Sequence, residues 1–351
     1  MSAAPPTQPN VVQAVRNLRV VDIEVATRAT LAGGIPLVLL YVTGHMELAS
    51  YAAFGALTAI YGRNEPYRLR FRTLLIAGTM LTLAITAGLT LAVFSAPTWL
   101  ITLVTLFAIA GGIFTAQVAQ LVPPTSMFPV MAVLIVAQTH TPAGEWGIRF
   151  VTTVAAVAFA IALTMSGWLL RKIFHSQADR FYFKPLAREP KLQWQLLKNR
   201  EIWGIIALNC AGLLLAGGLA LALNIGHAYW AVLAVIAVVP PPFTRLSLRR
   251  GVQRMVGTVA GVGLMAIVFA FHPEPWALIL VWAVCQFVTE ILISQHYGLA
   301  LLFITPLVLA ITELATPSAT DVVLLDRVVA TLIGAAVTML LLWVVARRRY
   351  S

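Results

Sequence analysis

Long stretches without a single charged residue limit this chain to very few folds. Residues 73–94, for example, contain no Lys, Arg, Asp or Glu. About 20 apolar residues in a helix cross the hydrocarbon core of a bilayer, where backbone polar groups must be hydrogen-bonded within helices or closed barrels. Barrel strands would alternate polar and apolar residues over about ten positions, and these stretches do not. The sequence therefore predicts an all-α polytopic membrane protein.

Composition agrees with this class and excludes others. Of the 351 residues, 60% are hydrophobic and 11% are charged, whereas an ordinary soluble domain has roughly 45–50% apolar and about 25% charged residues. A soluble enzyme, a disordered chain and a disulfide-stabilised secreted domain are excluded. Cys210 and Cys285 lie in apolar stretches without the spacing of a metal site. The N-terminus is not expected to be a signal peptide.

Twelve apolar segments are predicted to form transmembrane helices. They lie at residues 26–43, 48–61, 73–94, 99–122, 126–138, 150–170, 202–223, 229–243, 252–271, 276–294, 298–312 and 322–346. The second, fifth, eighth and eleventh have roughly 13–15 residues, fewer than a full span takes. Whether these four are full, tilted, re-entrant or broken spans is left open by the sequence.

The basic residues predict the orientation of the bundle. All but two of the 24 Lys and Arg residues lie at the termini, or in or next to the connections on the same side as the termini. Because cytoplasmic loops carry an excess of Lys and Arg, both termini are predicted to be cytoplasmic. Topology thus explains most of the net charge of +11, and no nucleic-acid partner is expected.

An offset of 178 residues aligns identical residues in four separate segments of the chain. The pairs are Tyr51 with Tyr229, Pro97 with Pro275, Gln117 with Gln295, and Arg149 with Arg327. Each half holds six predicted spans, so both halves enter the membrane from the same side and are related by an axis along its normal. The prediction is two parallel six-helix repeats with a pseudo-two-fold axis and a pathway at the seam.

This repeat sets the predicted domain organisation. The parts are a cytoplasmic tail with an interfacial helix (1–25), the first repeat (26–172), a basic cytoplasmic linker (173–200), the second repeat (201–346) and a cytoplasmic tail (347–351). The interfacial helix is predicted because Asn10 can cap a helix whose apolar residues share one face.

A motif in the second half resembles a known family. A Tyr-Trp-Ala entry at 229–231 is followed by a short proline-ended helix and by Arg-Gly-x-x-Arg-x-x-Gly-Thr-x-x-Gly at 250–261. These residues resemble the fusaric acid resistance family of bacterial inner-membrane proteins, which is linked to the aromatic acid exporters and more distantly to plant aluminium-activated malate channels. The first half has an arginine cluster at 68–72 but lacks the Gly-Thr pair.

The resemblance implies proton-driven efflux of organic, often aromatic, carboxylates or other toxic small molecules across the inner membrane. Its implied partners are small organic anions, protons and the lipid bilayer, with no cofactor. An accessory or periplasmic partner and the oligomeric state are left open. Many relatives carry a large cytoplasmic domain between the halves, where this chain has about 30 residues.

Arg149 and Arg327 are candidate residues of the anion pathway. Each lies near the start of the last helix of its half, just inside the non-cytoplasmic interface, with an acidic residue within one turn. Charged side chains within the membrane are costly and mark functional or paired positions, so these arginines either attract a carboxylate or are interfacial anchors. Tyr229 and Trp230 are candidates for stacking on an aromatic substrate, or belong to the interfacial aromatic belt.

Glu290 is the acidic residue that lies furthest inside an apolar segment. It follows Trp276 by 14 residues, about 21 Å along a helix, which places it towards the cytoplasmic third. A carboxyl group there can bind and release a proton, so Glu290 is the candidate for proton coupling. The alternative is a structural glutamate paired with a neighbouring helix. Its counterpart at the repeat offset is Gly112.

Two further pairs of residues lie near the cytoplasmic ends of predicted spans. Arg72 and Arg254 are candidates for guiding anions into the pathway, although orientation alone also explains them. Gly257 and Gly261 have the small-xxx-small spacing that favours close helix packing.

The sequence contains none of the common catalytic or nucleotide-binding motifs, such as GxSxG, HExxH or a P-loop, and the protein is not expected to be an enzyme. Three functions remain. They are a proton-driven exporter of organic anions, a passive anion channel that would not need Glu290, and a non-transporting membrane partner of an envelope-building system.

Overall fold

The computed structural model describes most of the chain. The described residues are 20–63, 65–173, 192–242, 248–293, 296–315 and 320–350. Within these ranges all regular secondary structure is helical, so the predicted all-α class is confirmed. Residues 1–19 of the predicted tail and interfacial helix, most of the linker and Gln295 of the repeat lie outside the described residues.

Six helices make up the first half. They are α1 (Val20–Thr43), α2 (Ala49–Ala56, extended by a 3₁₀ turn over Leu57–Ile60), α3 (Tyr67–Val93), α4 (Thr98–Val118), α5 (Met127–Val136) and α6 (Trp146–Ile173). Pro66 and Pro97 directly precede α3 and α4. Proline is well placed at the start of a helix because its missing N–H would have no helical partner there.

The second half repeats this order. Its elements are α7 (Arg200–Gly212), a π-helical turn (Leu213–Gly217), α8 (Gly218–Ala222), α9 (Tyr229–Val238), α10 (Leu248–Ala270), α11 (Pro275–Leu292), α12 (Tyr297–Ala315) and α13 (Thr320–Tyr350). The Asn199 side chain caps α7 by accepting a hydrogen bond from the backbone N–H of Glu201, which satisfies one of the unpaired donors of the first turn.

Nine helical segments among the described residues are long and apolar enough to cross a membrane. They are Asp22–Thr43, Tyr67–Val93, Thr98–Val118, Ala143–Ser166, Arg200–Ala222, Leu248–Ala270, Pro275–Leu292, Tyr297–Ala315 and Asp321–Arg347, and the shorter apolar ones are Met46–Ile60, Met127–Val136 and Tyr229–Val238. Of the four segments predicted to be short, 298–312 belongs to a helix of 19 residues. The chain is a multi-pass membrane protein.

Helices α3 and α10 begin before their apolar segments. The predicted starts were residues 73 and 252, whereas the helices begin at Tyr67 and Leu248. The arginine clusters therefore occupy first turns rather than loops, because Arg is a good helix former and its long side chain reaches water from within a helix. The end of the bundle where these two helices begin is called the basic end. Helix α1 likewise begins at Val20, within the segment assigned to the tail.

The halves pack in matching ways and also contact each other. Helix α3 packs against α5 and α6, as α10 does against α12 and α13. Across the halves, α1 packs against α11, α7 against α4, α2 against α12, and α9 against α5. The short helices α2 and α9 therefore lie in the centre of the protein, which explains why α2 is buried along its whole length. A helix that is apolar all round is expected in such a place.

Glycines allow the closest contact between α10 and α12. A Cβ atom on Gly261 would lie 2.7 Å from the Cβ of Thr305 and 2.9 Å from the carbonyl oxygen of Leu302. One on Gly257 would lie 2.6 Å from the Cβ of Leu301. The structure thus places both predicted packing glycines where two helix backbones approach each other.

Replacing Gly261 by alanine is expected to destabilise the protein by about 1–3 kcal/mol, the usual cost of overpacking a well-packed contact. The measurement is the thermal unfolding temperature of the detergent-purified protein. Gly263→Ala is the matched control, because it lies on the same helix with no heavy atom within 4 Å of the added Cβ. A Gly261→Ala protein as stable as the Gly263→Ala protein would contradict the tight contact.

Candidate functional site

A cavity of about 270 Å³ lies between the two halves, towards the end opposite the basic end. The first half contributes α4 and the end of α5, and the second half contributes the π-helical turn, α8 and the start of α9. One wall carries the hydroxyl groups of Thr98, Thr102 and Thr105, and the facing wall is apolar except for Tyr229. The cavity is slightly smaller than the roughly 300–1,000 Å³ of typical small-molecule sites.

The π-helical turn in the cavity wall was not predicted from the sequence. The predicted span 202–223 contained no break, whereas the helix widens over Leu213–Gly217. Such turns are rare and often lie at functional sites. A Cβ on Gly212, just before the turn, would overlap the side chain of Val235 in α9. The glycine pair at 217–218 was the sequence signal available for this irregularity.

A second, smaller cavity of about 160 Å³ continues the seam and shares Gln138 and Tyr229 with the first. Its lining is more polar and includes Ser50, Thr139 and Glu313. Tyr229 lines both cavities. The structure therefore places this predicted site residue in the wall of the space between the halves.

Arg149 is buried next to the smaller cavity. Its Nη2 lies 2.6 Å from Oε2 of Glu145, and its Nη1 donates hydrogen bonds to the Tyr51 hydroxyl at 3.1 Å and the Thr141 hydroxyl at 3.2 Å. The Tyr51 oxygen is in turn 3.3 Å from the hydroxyl of Thr139, which lines the cavity. Arg149 is therefore separated from the cavity by one layer of hydroxyl groups.

Arg327 has a different environment. Its guanidinium carbon lies 3.7 Å from the centre of the Trp230 ring, within the range of a cation–π interaction. The neighbouring Asp326 does not pair with it; Oδ2 of that residue lies 2.7 Å from Nδ1 of His227. The Trp230 side chain is 1% exposed and packs 4.6 Å from the Tyr229 ring. It faces protein rather than the lipid interface.

The two arginines predicted near the basic end are not equivalent. Arg254 is buried, at 1% exposure. Arg72 is half-buried and forms no ion pair found among the described residues. At the repeat offset Arg72 corresponds to Arg250, whose Nε donates to the carbonyl oxygen of Ala237 at 2.8 Å. Arg254 therefore points into the protein, whereas Arg72 remains accessible.

Glu290 belongs to a buried ion-paired bridge between the two halves. Its Oε2 lies 2.9 Å from Nη2 of Arg63, and Nη1 of Arg63 lies 3.1 Å from Oδ1 of Asp22. Gln286 donates a hydrogen bond to Oε1 of Glu290 at 3.2 Å. The side chains of Glu290, Arg63 and Asp22 are 4%, 14% and 10% exposed. The Asp22–Arg63–Glu290 bridge thus fastens α1 and the connection after α2 to the basic end of α11.

A second charged group adjoins this bridge within the first half. Oε1 of Glu24 lies 3.1 Å from Nη1 of Arg28 and 3.5 Å from Nη1 of Arg70. The Nε of Arg28 also donates to the carbonyl oxygen of Ala59 at 3.3 Å. These residues and Arg63 were missed because basic residues near the ends of spans were attributed to orientation. The spacing of Glu24 and Arg28, one helical turn apart, was the available signal.

The second half of the chain is similar to a known family. Residues 215–341 match a family model described as fusaric acid resistance protein-like. These residues extend from the π-helical turn into α13 and contain the Arg-Gly motif at 250–261. The family resemblance predicted from that motif is therefore confirmed.

Two curated relatives are similar over shorter regions. An uncharacterized protein of Synechocystis sp. is 31% identical over 116 residues, which cover 33% of this chain and 15% of that protein. The uncharacterized membrane protein YvaC of Bacillus subtilis is 32% identical over 157 residues, which cover 41% of this chain and 25% of that protein. The matched part of this chain thus spans a quarter or less of the relatives' length. No solved structure matches.

Proposed function

We propose that this chain, with its fusaric acid resistance-like second half, is a secondary transporter that exports organic, in particular aromatic, carboxylates across a bacterial inner membrane and is driven by protons. The family match and the nine long apolar helices support a membrane transporter. The proposal depends above all on one arrangement, in which a cavity lies between the halves towards one end and an ion-paired bridge joins the halves at the other.

The proposed transporter is a twelve-helix bundle of two parallel repeats. At the offset of 178 residues each helix of the first half overlaps a helix of the second, from α1 with α7 and α8 to α6 with α13. The packing partners correspond in the same way. This correspondence supports a pseudo-two-fold axis along the membrane normal. Excess Lys and Arg at the basic end support a cytoplasmic location for that end and for both termini.

In this orientation the bridge closes the cytoplasmic end while the cavity lies towards the periplasm. Protonation of Glu290 removes the charge that attracts Arg63 and leaves the hydrogen bond from Nη2 of Arg63 to the backbone carbonyl oxygen of Glu290, at 3.1 Å. A proton on Glu290 therefore weakens the hold of α11 on the first half. Export is coupled to protons because the proton reaches Glu290 from the periplasmic side, weakens the bridge so that this end can open for loading from the cytoplasm, and is released to the cytoplasm before the bridge forms again.

The cavity chemistry supports an aromatic acid as the substrate. A ring can pack on the apolar wall formed by Leu213, Leu214 and Val232. A carboxylate can accept hydrogen bonds from the hydroxyl groups of Thr98 and Tyr229, whereas the hydroxyls of the other two threonines donate to carbonyl oxygens of their own helix. Arg149 adds positive potential behind the hydroxyl layer, although Glu145 offsets part of it. Arg72, accessible at the basic end, provides a first attraction for anions.

Flux measurements with the purified protein in proteoliposomes test the proposal. We expect uptake of labelled aromatic carboxylates, such as benzoate analogues, above that of protein-free vesicles, and accumulation against their gradient when a pH difference is imposed. Flux that runs only down the substrate gradient, whatever the pH difference, would replace the exporter by an anion channel. No flux for any acid of the panel would favour the non-transporting membrane partner.

Placing a side chain in the cavity is expected to reduce this flux severely. Gly218 lines the cavity, and a Cβ atom added to it meets nothing within 4 Å, so the side chain of Gly218→Leu starts in open space at the cavity wall and reduces the cavity volume. Gly204→Leu is the matched control, because Gly204 is also exposed in the same helical segment and its added Cβ is free. Equal flux in the two variants would show that substrate does not use this cavity.

A further inference from the structure

Five buried side chains where α9, α10 and α13 meet have hydrogen-bonding atoms without a partner among the described residues. They are Trp230, Arg254, Thr258, Arg327 and Thr331, each no more than 1% exposed. The unpartnered atoms are Nε1 of Trp230, Nε and Nη2 of Arg254, Nε and Nη1 of Arg327, and both threonine hydroxyls. We call these five residues the donor cluster. Because buried polar atoms are nearly always hydrogen-bonded, the donor cluster is expected to bind a ligand.

The donor-cluster residues of α13, Arg327 and Thr331, face α9. Arg327, Thr331 and Gly334 share one helix face because they are four and seven residues apart. A Cβ on Gly334 would overlap the carbonyl oxygen of Ala231, which shows that this face lies directly against α9. Arg327 accordingly stacks on Trp230 at the start of α9.

The donor-cluster residues of α10, Arg254 and Thr258, lie on a face that contacts α13 and α9. Arg254 and Thr258 follow Gly251 by three and seven residues, so the three share a face. A Cβ on Gly251 would lie 2.7 Å from side-chain atoms of Met339 in α13 and 3.5 Å from Val238 in α9. Helices α10 and α13 pack against each other, so both parts of the donor cluster lie at this contact.

The donor cluster is positive, and its unpartnered nitrogen atoms are donors. Arginine and tryptophan side chains carry no acceptor, and arginine stays charged in proteins. The ion pairs among the described residues engage Arg28, Arg63, Arg70 and Arg149, but neither arginine of the cluster. The first half offers no equivalent, since Arg149 has Glu145 as a partner and Ile76 corresponds to Arg254.

We infer that the donor cluster is a binding site for a small monovalent anion, which Arg254 and Arg327 neutralise and Trp230, Thr258 and Thr331 contact through hydrogen bonds. The site is separate from the two cavities between the halves, whose linings include none of these five residues. Its ligand is either a halide ion or the carboxylate group of an organic anion. Both supply the acceptor and the negative charge that the cluster lacks. The inference does not require transport.

Anion-dependent stability of the full-length, detergent-purified protein tests this site. Its thermal unfolding temperature is measured in the sodium salt of HEPES, a bulky sulfonate, with increasing chloride, bromide or benzoate at constant ionic strength. A ligand that binds the folded state raises this temperature in a saturable way. A rise with the halides identifies an inorganic ion. A rise with benzoate alone identifies an organic carboxylate if the donor-cluster variants lose it, because benzoate bound in the cavity between the halves keeps its effect in those variants. No saturable rise with any of the three would overturn the inference.

Variants locate the effect. Arg327→Gln is expected to abolish the anion-dependent rise, whereas Arg68→Gln, which changes an exposed arginine in the first turn of α3, retains it. The double variant Thr258→Val with Thr331→Val keeps the side-chain shapes and removes two hydroxyl groups, so we expect the half-saturating concentration to increase about tenfold or more. This double variant remains decisive should Arg327→Gln fail to fold. A wild-type response of the Arg327→Gln protein and of the double threonine variant would exclude the donor cluster as the site.

Discussion

Replacing Arg63 by glutamine is expected to lower the free energy of unfolding by about 3–5 kcal/mol, the usual cost of removing one partner of a buried ion pair. Arg63 contacts two carboxylates, those of Asp22 and Glu290, which are no more than 10% exposed. Without the guanidinium group both negative charges remain buried at the contact of α1 with α11. The measurement is an SDS unfolding titration of the purified protein in detergent micelles.

A second substitution, at Glu290, tests whether the lost stability comes from the ion pair itself. Adding Glu290→Gln to Arg63→Gln removes one of the two carboxylates that have lost Arg63, so the double variant is expected to regain part of the lost stability. The coupling energy is evaluated from the double-mutant cycle. Arg68→Gln is the control, because Arg68 is exposed in the first turn of the adjacent helix. Arg63→Gln and Arg68→Gln proteins of equal stability would contradict a structural role of the Asp22–Arg63–Glu290 bridge.

Hydropathy was sufficient to predict the helices but not their exact ends. Each of the twelve apolar segments overlaps a helix, because membrane helices need continuous apolar surface. The ends of α3 and α10 were misplaced since charged residues such as Arg70 extend a helix into the interface without adding hydropathy. The π-helical turn directly follows Gly212, which packs against Val235 in α9. The glycine pair at 217–218 was a local signal for an irregularity, but it does not specify this tertiary contact.

The charged clusters were predictable only where the partners are close in sequence. Glu145 and Arg149 are one helical turn apart, and they pair as that spacing permits. The partner of Glu290 is 227 residues away in the sequence, and it lies in a connection whose basic residues were attributed to orientation. Asp326 does not pair with the adjacent Arg327, because the turn before α9 brings His227 to it. Sequence spacing therefore selected candidate residues but did not predict the bridge between the halves.

Replacing Glu290 by glutamine is expected to abolish accumulation driven by a pH difference while leaving exchange of substrate down its own gradient. Glutamine keeps the size of the side chain but carries no proton that can be released, so the bridge no longer responds to pH. Accumulation and counterflow are measured in the same proteoliposomes, and Glu274→Gln serves as the control because Glu274 lies exposed just before the same helix. Loss of both activities would indicate a structural role for Glu290, and retention of pH-driven accumulation would exclude it as the coupling carboxyl group. Accumulation lost with counterflow retained is the result that only proton coupling through Glu290 predicts.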